Sequence, residues 1–311
     1  MRHLLSYSVY QDAAGLGPDP SSKLASVGMD GLELLTSYDE PDPFYRGLAE
    51  TVHLPYAPDW LSAWEDRIPD MPEGYALYHT YGNDRSELLS NVARSIEVAA
   101  SLSPAHGVFH ACNADTTEIF HRRYSRSDSH VIDALCELLN TVVGQMPGGE
   151  PPFRLVLENL WWPGMRLNDE SGYRRVESKL EFEDWGICLD TGHLMSCLPV
   201  TTEAEAVDSV LDIVHGYSRD MTDRVSAVHL HWSASYGYRS TFEERELDCP
   251  FSEFLADANR HVCTIDTHSP FSDPRCVEIV EALDPSYVIH ELPGTEAGMW
   301  ADAAKQRAHF P

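Results

Sequence analysis

Basic residues are the scarcest class in this chain relative to what balances them. Its 311 residues carry 22 Lys and Arg against 50 Asp and Glu, a formal net charge of −28. A surface that tracks phosphates along a duplex needs clustered Lys and Arg, so the composition disfavours nucleic acid as a partner. It does not exclude an active site in which bound metal ions supply the positive charge locally. Seven cysteines are present and none belongs to a CxxC pair, which argues against a cysteine zinc finger. Most lie in apolar contexts such as GICLD and DALCELL, as buried reduced thiols would. No apolar stretch approaches the roughly 18–20 residues that cross a bilayer. The opening MRHLLSYSVY alternates like a strand and lacks a signal-peptide core, so a cytoplasmic location is expected. There is no glycine-rich phosphate loop after the first strand-like segment, which weakens a dinucleotide-binding reading. No linker rich in Ser, Gly or Pro and no fixed-period repeat breaks the chain, so 1–311 reads as a single domain.

What is present is a rhythm of strand and helix. Strand-like segments fall at 4–10, 31–37, 50–56, 107–113, 153–160, 185–194, 225–233 and 286–292. Helical periodicity occupies 84–102, where Asp84 can cap and Glu87 lies three residues on, and 127–146, stopped by PGG. Further helices are expected at 174–182, 201–218 with Thr201 or Thr202 as cap, 251–261 and 273–283. Eight strands alternating with helices in this length predict a closed (β/α)8 TIM barrel, with the runner-up an open doubly wound sheet.

The strand-like runs end in residues that bind metals. His53 closes TVHLPY, His110 closes GVFHA, and Glu158 closes RLVLEN. Asp190 and His193 share CLDTGH, His229 lies in VHLHW, Asp266 and His268 in IDTHS, and Glu291 in VIHEL. Each alone has an ordinary explanation as a hydrogen-bonded core histidine or a paired carboxylate. Their succession at strand ends places them together at the C-terminal face of a barrel, where imidazole and carboxylate donors suit divalent ions.

The order His, His, Glu, Asp-x-x-His, His, Asp-x-His, Glu resembles the trinuclear metal site of endonuclease IV. The wider group is the AP-endonuclease-2 and xylose-isomerase-like barrel superfamily, and the likeness runs from His53 to Glu291. It implies that Glu158 bridges two metals and acts in catalysis. It implies that His53 and His110 bind one ion, Asp190 and His229 a second with Glu291 shared, and His193, Asp266 and His268 a third. Two or three ions are implied, with Zn²⁺ the first choice and Fe²⁺ or Mn²⁺ also suited. His231 falls where the family has a small polar residue and reads as a neighbour of the ligands, a spare ligand or a substrate contact.

Two departures concern the substrate. The loop after Glu158 is LWWPGMRLND, in place of a small glycine-rich one, and the loop at 232–248 is long. Trp161, Trp162, Trp232, Tyr236 and Arg239 are therefore expected to wall a pocket for a large planar ligand. The resemblance implies hydrolysis of a phosphodiester by metal-activated water. Some superfamily members cleave the nucleotide-loop phosphoester of cobamides during cobamide remodelling, so a corrinoid is the specific substrate expected. The rivals are an AP endonuclease acting on DNA, a sugar isomerase or epimerase using fewer His ligands, and a multinuclear iron oxidase acting on a peptide.

Overall fold

The computed structural model describes residues 1–67, 81–246, 249–293 and 296–311. Eight strands run β1 (Arg2–Ser8), β2 (Gly31–Leu35), β3 (Ala49–His53), β4 (His106–His110), β5 (Arg154–Glu158), β6 (Trp185–Asp190), β7 (Val225–His229) and β8 (Tyr287–His290). Each pairs in parallel with the next, and β8 pairs with β1, so the sheet closes into a barrel in sequence order. That is the predicted (β/α)8 class. The strands are shorter than their sequence signals because the last residues of each run turn off the sheet as loops over the barrel mouth.

Helices Arg85–Ala100, Asp128–Val143 and Glu203–His215 pack on the outside. Their starts are set by side-chain caps that accept otherwise orphaned backbone N–H groups. Asp84 accepts from Glu87 N, Ser127 from His130 N, and Thr202 from Glu205 N. The connection from β2 to β3 contains only a 3-10 turn at Pro43–Tyr45, so one barrel unit lacks its α-helix. The connection after β7 is the reverse case and carries the inserted helix Phe251–Ile265. Residues 247–248 of that long loop lie outside the described residues.

Strand alternation explains how one chain builds a dry core and a charged site. Successive side chains point to opposite faces. Phe109, Leu157, Leu189 and Val228 point outward into the apolar layer beneath the helices. Val108, Val156, Cys188 and Ala227 point inward and, with Leu4 and Ile289, form the barrel floor. Two residues further along four of the strands come His110, Glu158, Asp190 and His229 (Glu158 and Asp190 lie two residues past Val156 and Cys188). One inward layer is a hydrophobic floor and the next is the ionisable site. Of the cysteines, Cys112, Cys136, Cys188 and Cys276 are buried as expected, but Cys263 is exposed. Among the described residues, no helix is long and apolar enough to cross a membrane.

The tryptophan loop after β5 is anchored by Gly164. Asn113 N donates to Pro163 O at 2.9 Å and Met165 N to Ala111 O at 2.8 Å, tying the loop to the end of β4. Gly164 has φ +140, and a Cβ there would stand 2.2 Å from Ala111 O. Gly164→Ala is therefore expected to destabilise the fold by about 2–3 kcal/mol, through both the clash and the backbone conformation. A denaturant midpoint unchanged from wild type would refute this.

Candidate metal centre

Glu158 is the hub of the barrel mouth. Its Oε2 lies 3.1 Å from His53 Nε2 and 3.2 Å from His110 Nε2. Its Oε1 faces the other way, 3.1 Å from His229 Nδ1 and 3.4 Å from His193 Nδ1. Burial alone would push this carboxyl upward. The imidazoles of His229 and His110 outweigh that and hold it well below the usual carboxylate range.

Three groups of donor atoms follow, each drawn within 4.8 Å of one another: His53, His110 and Glu158; Glu158, Asp190, His229 and Glu291; and His193, His231, Asp266 and His268. All nine residues named from the sequence as ligands fall in these groups, and His231 joins them. Five of the nine end a strand. Glu291 follows β8 by one residue, and His193 sits on the short helix Thr191–Ser196, whose N-terminus is capped by Asp190. Asp266 and His268 depart from the strand-end expectation. They leave the C-terminus of the helix Phe251–Ile265, because the apolar run before them is that helix and not a strand. His268 reaches the site in a left-handed conformation, φ 48, that few non-glycine residues adopt.

The imidazoles are held in fixed orientations. His53 Nδ1 lies 2.8 Å from Leu54 O and His193 Nδ1 2.9 Å from Asn159 O, which places their Nε2 atoms toward the site. His229 Nε2 lies 2.8 Å from Glu33 Oε1, which turns its Nδ1 toward Glu158 and Glu291, the latter 2.9 Å away. Glu33 was missed in the sequence. Its signal was the one that marked Glu158: an acid alternating with apolar residues on a barrel strand, GLELL. Glu33 is buried, and Thr51 Oγ1 donates to it at 3.0 Å. Burial raises its carboxyl, but His229 and His106 bring it down to about 2.

A cavity of about 240 Å³ opens over these groups, lined by His53, His110, Glu158, His193, Asp266, His268, Glu291 and a mainly apolar wall. Trp161 and Trp162 belong to that wall, with Leu160, Val262 and Tyr56, which stacks on His110 at 4.4 Å. Sequence reading missed Tyr56, although it lies three residues past His53. Trp232, Tyr236 and Arg239, expected to wall the pocket, do not line it. Trp232 turns away to donate from Nε1 to Pro270 O, at 3.1 Å. Tyr236 is 42% exposed, on a four-residue helix that leans on Phe251–Ile265 through Tyr238 OH and His261 Nδ1. His231, also named as a substrate contact, does not line the cavity either and is fully buried. No Lys or Arg lines the cavity among the described residues.

The donor set suits divalent ions. Buried carboxylates and imidazoles this close need a shared cation or shared protons, and in the ion-free chain the histidines supply the protons. Burial pulls His268 down, yet Asp266 and Glu291 outweigh it and push it up to about 9. His193 and His229 are held well above their ordinary value by the facing carboxylates despite burial.

No protein-family model matches the chain, and no curated protein sequence matches it. Solved structures do share its fold. A D-tagatose 3-epimerase-like protein has 16% identity and a TM-score of 0.53, covering 99% of this chain and 95% of its own. The 3-keto-D-glucoside 4-epimerase of E. coli has 15% identity and a TM-score of 0.56, covering 99% of each chain. Endonuclease IV from Thermus thermophilus has 15% identity and a TM-score of 0.50, covering 99% of this chain and 98% of its own. The chain is a (β/α)8 TIM barrel, a fold it shares with epimerases and endonuclease IV, and its mouth brings together three donor groups that could each hold a metal ion. Within that class, the fold alone does not separate epimerases from endonuclease IV.

Two outcomes are expected. Ligation requires neutral imidazole, so histidines that hold protons near neutral pH must give them up to an incoming ion. Calorimetric heats of Zn²⁺ binding will vary with buffer ionisation enthalpy in the sense of net proton release; a zero slope would contradict the protonation scheme. Glu33→Gln is expected to weaken metal binding about 10–100-fold with the fold intact, measured by chelator competition. Unchanged competition would show that His229 needs no orienting carboxylate.

Proposed function

We propose that the protein is a metal-dependent hydrolase cleaving a phosphodiester in a small molecule. The carrying observation is the division of Glu158, one oxygen facing His53 and His110 and the other facing His229. A carboxylate placed this way suits two ions held side by side. Divalent ions at such a site supply Lewis acidity toward phosphoryl oxygens and bring a water toward neutral pKa. The chain's part is to hold the donors rigid, with Glu158 fixed between two groups and His229 turned by Glu33. Trp161, Trp162 and Leu160 keep bulk water from one side of the cavity.

On this reading the cavity of about 240 Å³ would take a phosphodiester with an adjoining sugar-sized group. A cobamide is the specific substrate we put forward. Its nucleotide-loop phosphoester would enter while the corrin ring lay at the mouth against Tyr56, which is half exposed. Duplex DNA is disfavoured because no Lys or Arg lines the cavity among the described residues and the chain carries a net charge of −28. Zn²⁺ is the ion best matched to this imidazole-rich set, with Fe²⁺ or Mn²⁺ next.

A second reading is a sugar epimerase. It is favoured by the fold neighbours and by Glu158, Asp190, His229 and Glu291, a set sufficient for one ion. It leaves the two flanking groups without a purpose, which is why hydrolysis is preferred.

Elemental analysis combined with a panel of cobamides, other phosphodiesters, abasic DNA and ketoses tests both. Hydrolysis predicts two or three ions per chain and turnover of a phosphodiester. Glu158→Gln should lower that kcat by at least about a thousandfold. One ion per chain with ketose epimerisation would overturn hydrolysis in favour of the second reading.

A further inference from the structure

We propose that His193, His231, Asp266 and His268 form a closed four-ligand site that retains one divalent ion, unlike the two groups that share Glu158. The inference rests on the metal reading of the barrel mouth and is independent of phosphodiester hydrolysis.

His231 carries the case. Its ring is fully buried, and Nε2 lies 2.9 Å from Asp190 Oδ2. With Nε2 committed to that carboxylate, Nδ1 is the ring nitrogen left for a metal ion. Nδ1 has no hydrogen-bond partner and lies 3.8 Å from Asp266 Oδ1, on the side of the third group. A buried ring nitrogen left without a partner costs stability, and ligation of an ion at this position removes that cost. The ring also stacks on His268 with centroids 4.3 Å apart, which fixes its plane.

Gly192 is the independent observation. In the DTGH segment, a Cβ on Gly192 would stand 2.1 Å from His231 Cε1 and 2.3 Å from Nδ1. Gly192 lies within the short helix Thr191–Ser196 and is absent from the positive-φ glycines, so its backbone does not require glycine. The missing side chain makes room for the ring. Gly192, one of the two residues between Asp190 and His193, thus leaves space for a tenth donor.

Three imidazoles and one carboxylate complete a tetrahedral set for an ion of zinc's size, and a site closed by four protein donors holds its ion structurally. His53, His110 and Glu158 offer three donors, and Glu158, Asp190, His229 and Glu291 reach four only by sharing Glu158 with them, whereas the third group has four donors of its own. The reacting groups therefore belong to the Glu158 pair. The third ion would neutralise Asp266 and fix the inserted helix Phe251–Ile265 over the barrel.

The full-length chain loaded with three equivalents of Co²⁺ and then challenged with chelator tests this. One ion should leave at least about tenfold more slowly than the others and keep the intense visible absorption of four-coordinate Co²⁺. His231→Asn, and separately Gly192→Ala, should abolish both the slow phase and that absorption. Loss of all three ions in one phase from the wild-type chain, which needs no variant to fold, would overturn the proposal. So would a folded His231→Asn protein with wild-type retention and absorption. Slow release of one ion from a chain inactive on every phosphodiester would support the closed site while the hydrolase reading failed.

Discussion

Glu158 carries its charge where water barely reaches, and the barrel mouth is organised around that fact. An isolated carboxylate at this depth would protonate or unfold its surroundings. Four imidazoles within 3.4 Å keep it ionised. Those imidazoles are themselves buried and need partners, which brings in Asp190, Asp266, Glu291 and Glu33. The network can close on protons or on metal ions. With protons, positive charge is spread over rings that must each stay charged in a poorly solvated place. With ions, the charge is concentrated at points that every donor faces, so the same geometry serves better.

The two-residue period of the strands is what made this legible from sequence. Glu158 two places past Val156, and Asp190 two past Cys188, repeat one rule: an apolar inward residue, then an ionisable one at the mouth. The eight-stranded closure followed from counting such runs. The same rule misled at IDTHS, where the apolar residues before Asp266 belong to a helix with its own buried face of Phe254, Ala258 and Ile265. Short apolar runs do not distinguish a strand from the end of an amphipathic helix. Glu33 escaped notice because it sits mid-strand, away from the mouth where ligands were sought. The roles of Trp232, Tyr236 and Arg239 were not legible at all. Whether a loop aromatic faces a pocket depends on how the loop folds back, here through the antiparallel bridge of Trp232 with Ser269. No local pattern encodes that.

The acidic surface and the basic content of the site have one explanation. A chain of net charge −28 repels polyanions at long range, yet its barrel mouth concentrates histidines at a point where ions add positive charge. On the hydrolase reading proposed above, such a field would disfavour a long nucleic-acid backbone and leave room for one phosphate carried by a small molecule. On the same reading, the apolar wall of Trp161, Trp162 and Leu160 beside the donors would suit a ligand with an apolar body.

Gly192 and Gly164 show how a widely used fold is bent toward a particular site through positions that carry no side chain. Gly164 lets the tryptophan loop pass against Ala111 O, setting the apolar wall. Gly192 lets an imidazole occupy the space beside its backbone, setting the donor count of the third group. Neither residue belongs to a donor group. Each acts by leaving a volume empty that a neighbour fills, and because protein interiors are close-packed, that volume has only one use. The chemistry of the mouth is therefore specified as much by where side chains are missing as by the donors that converge there.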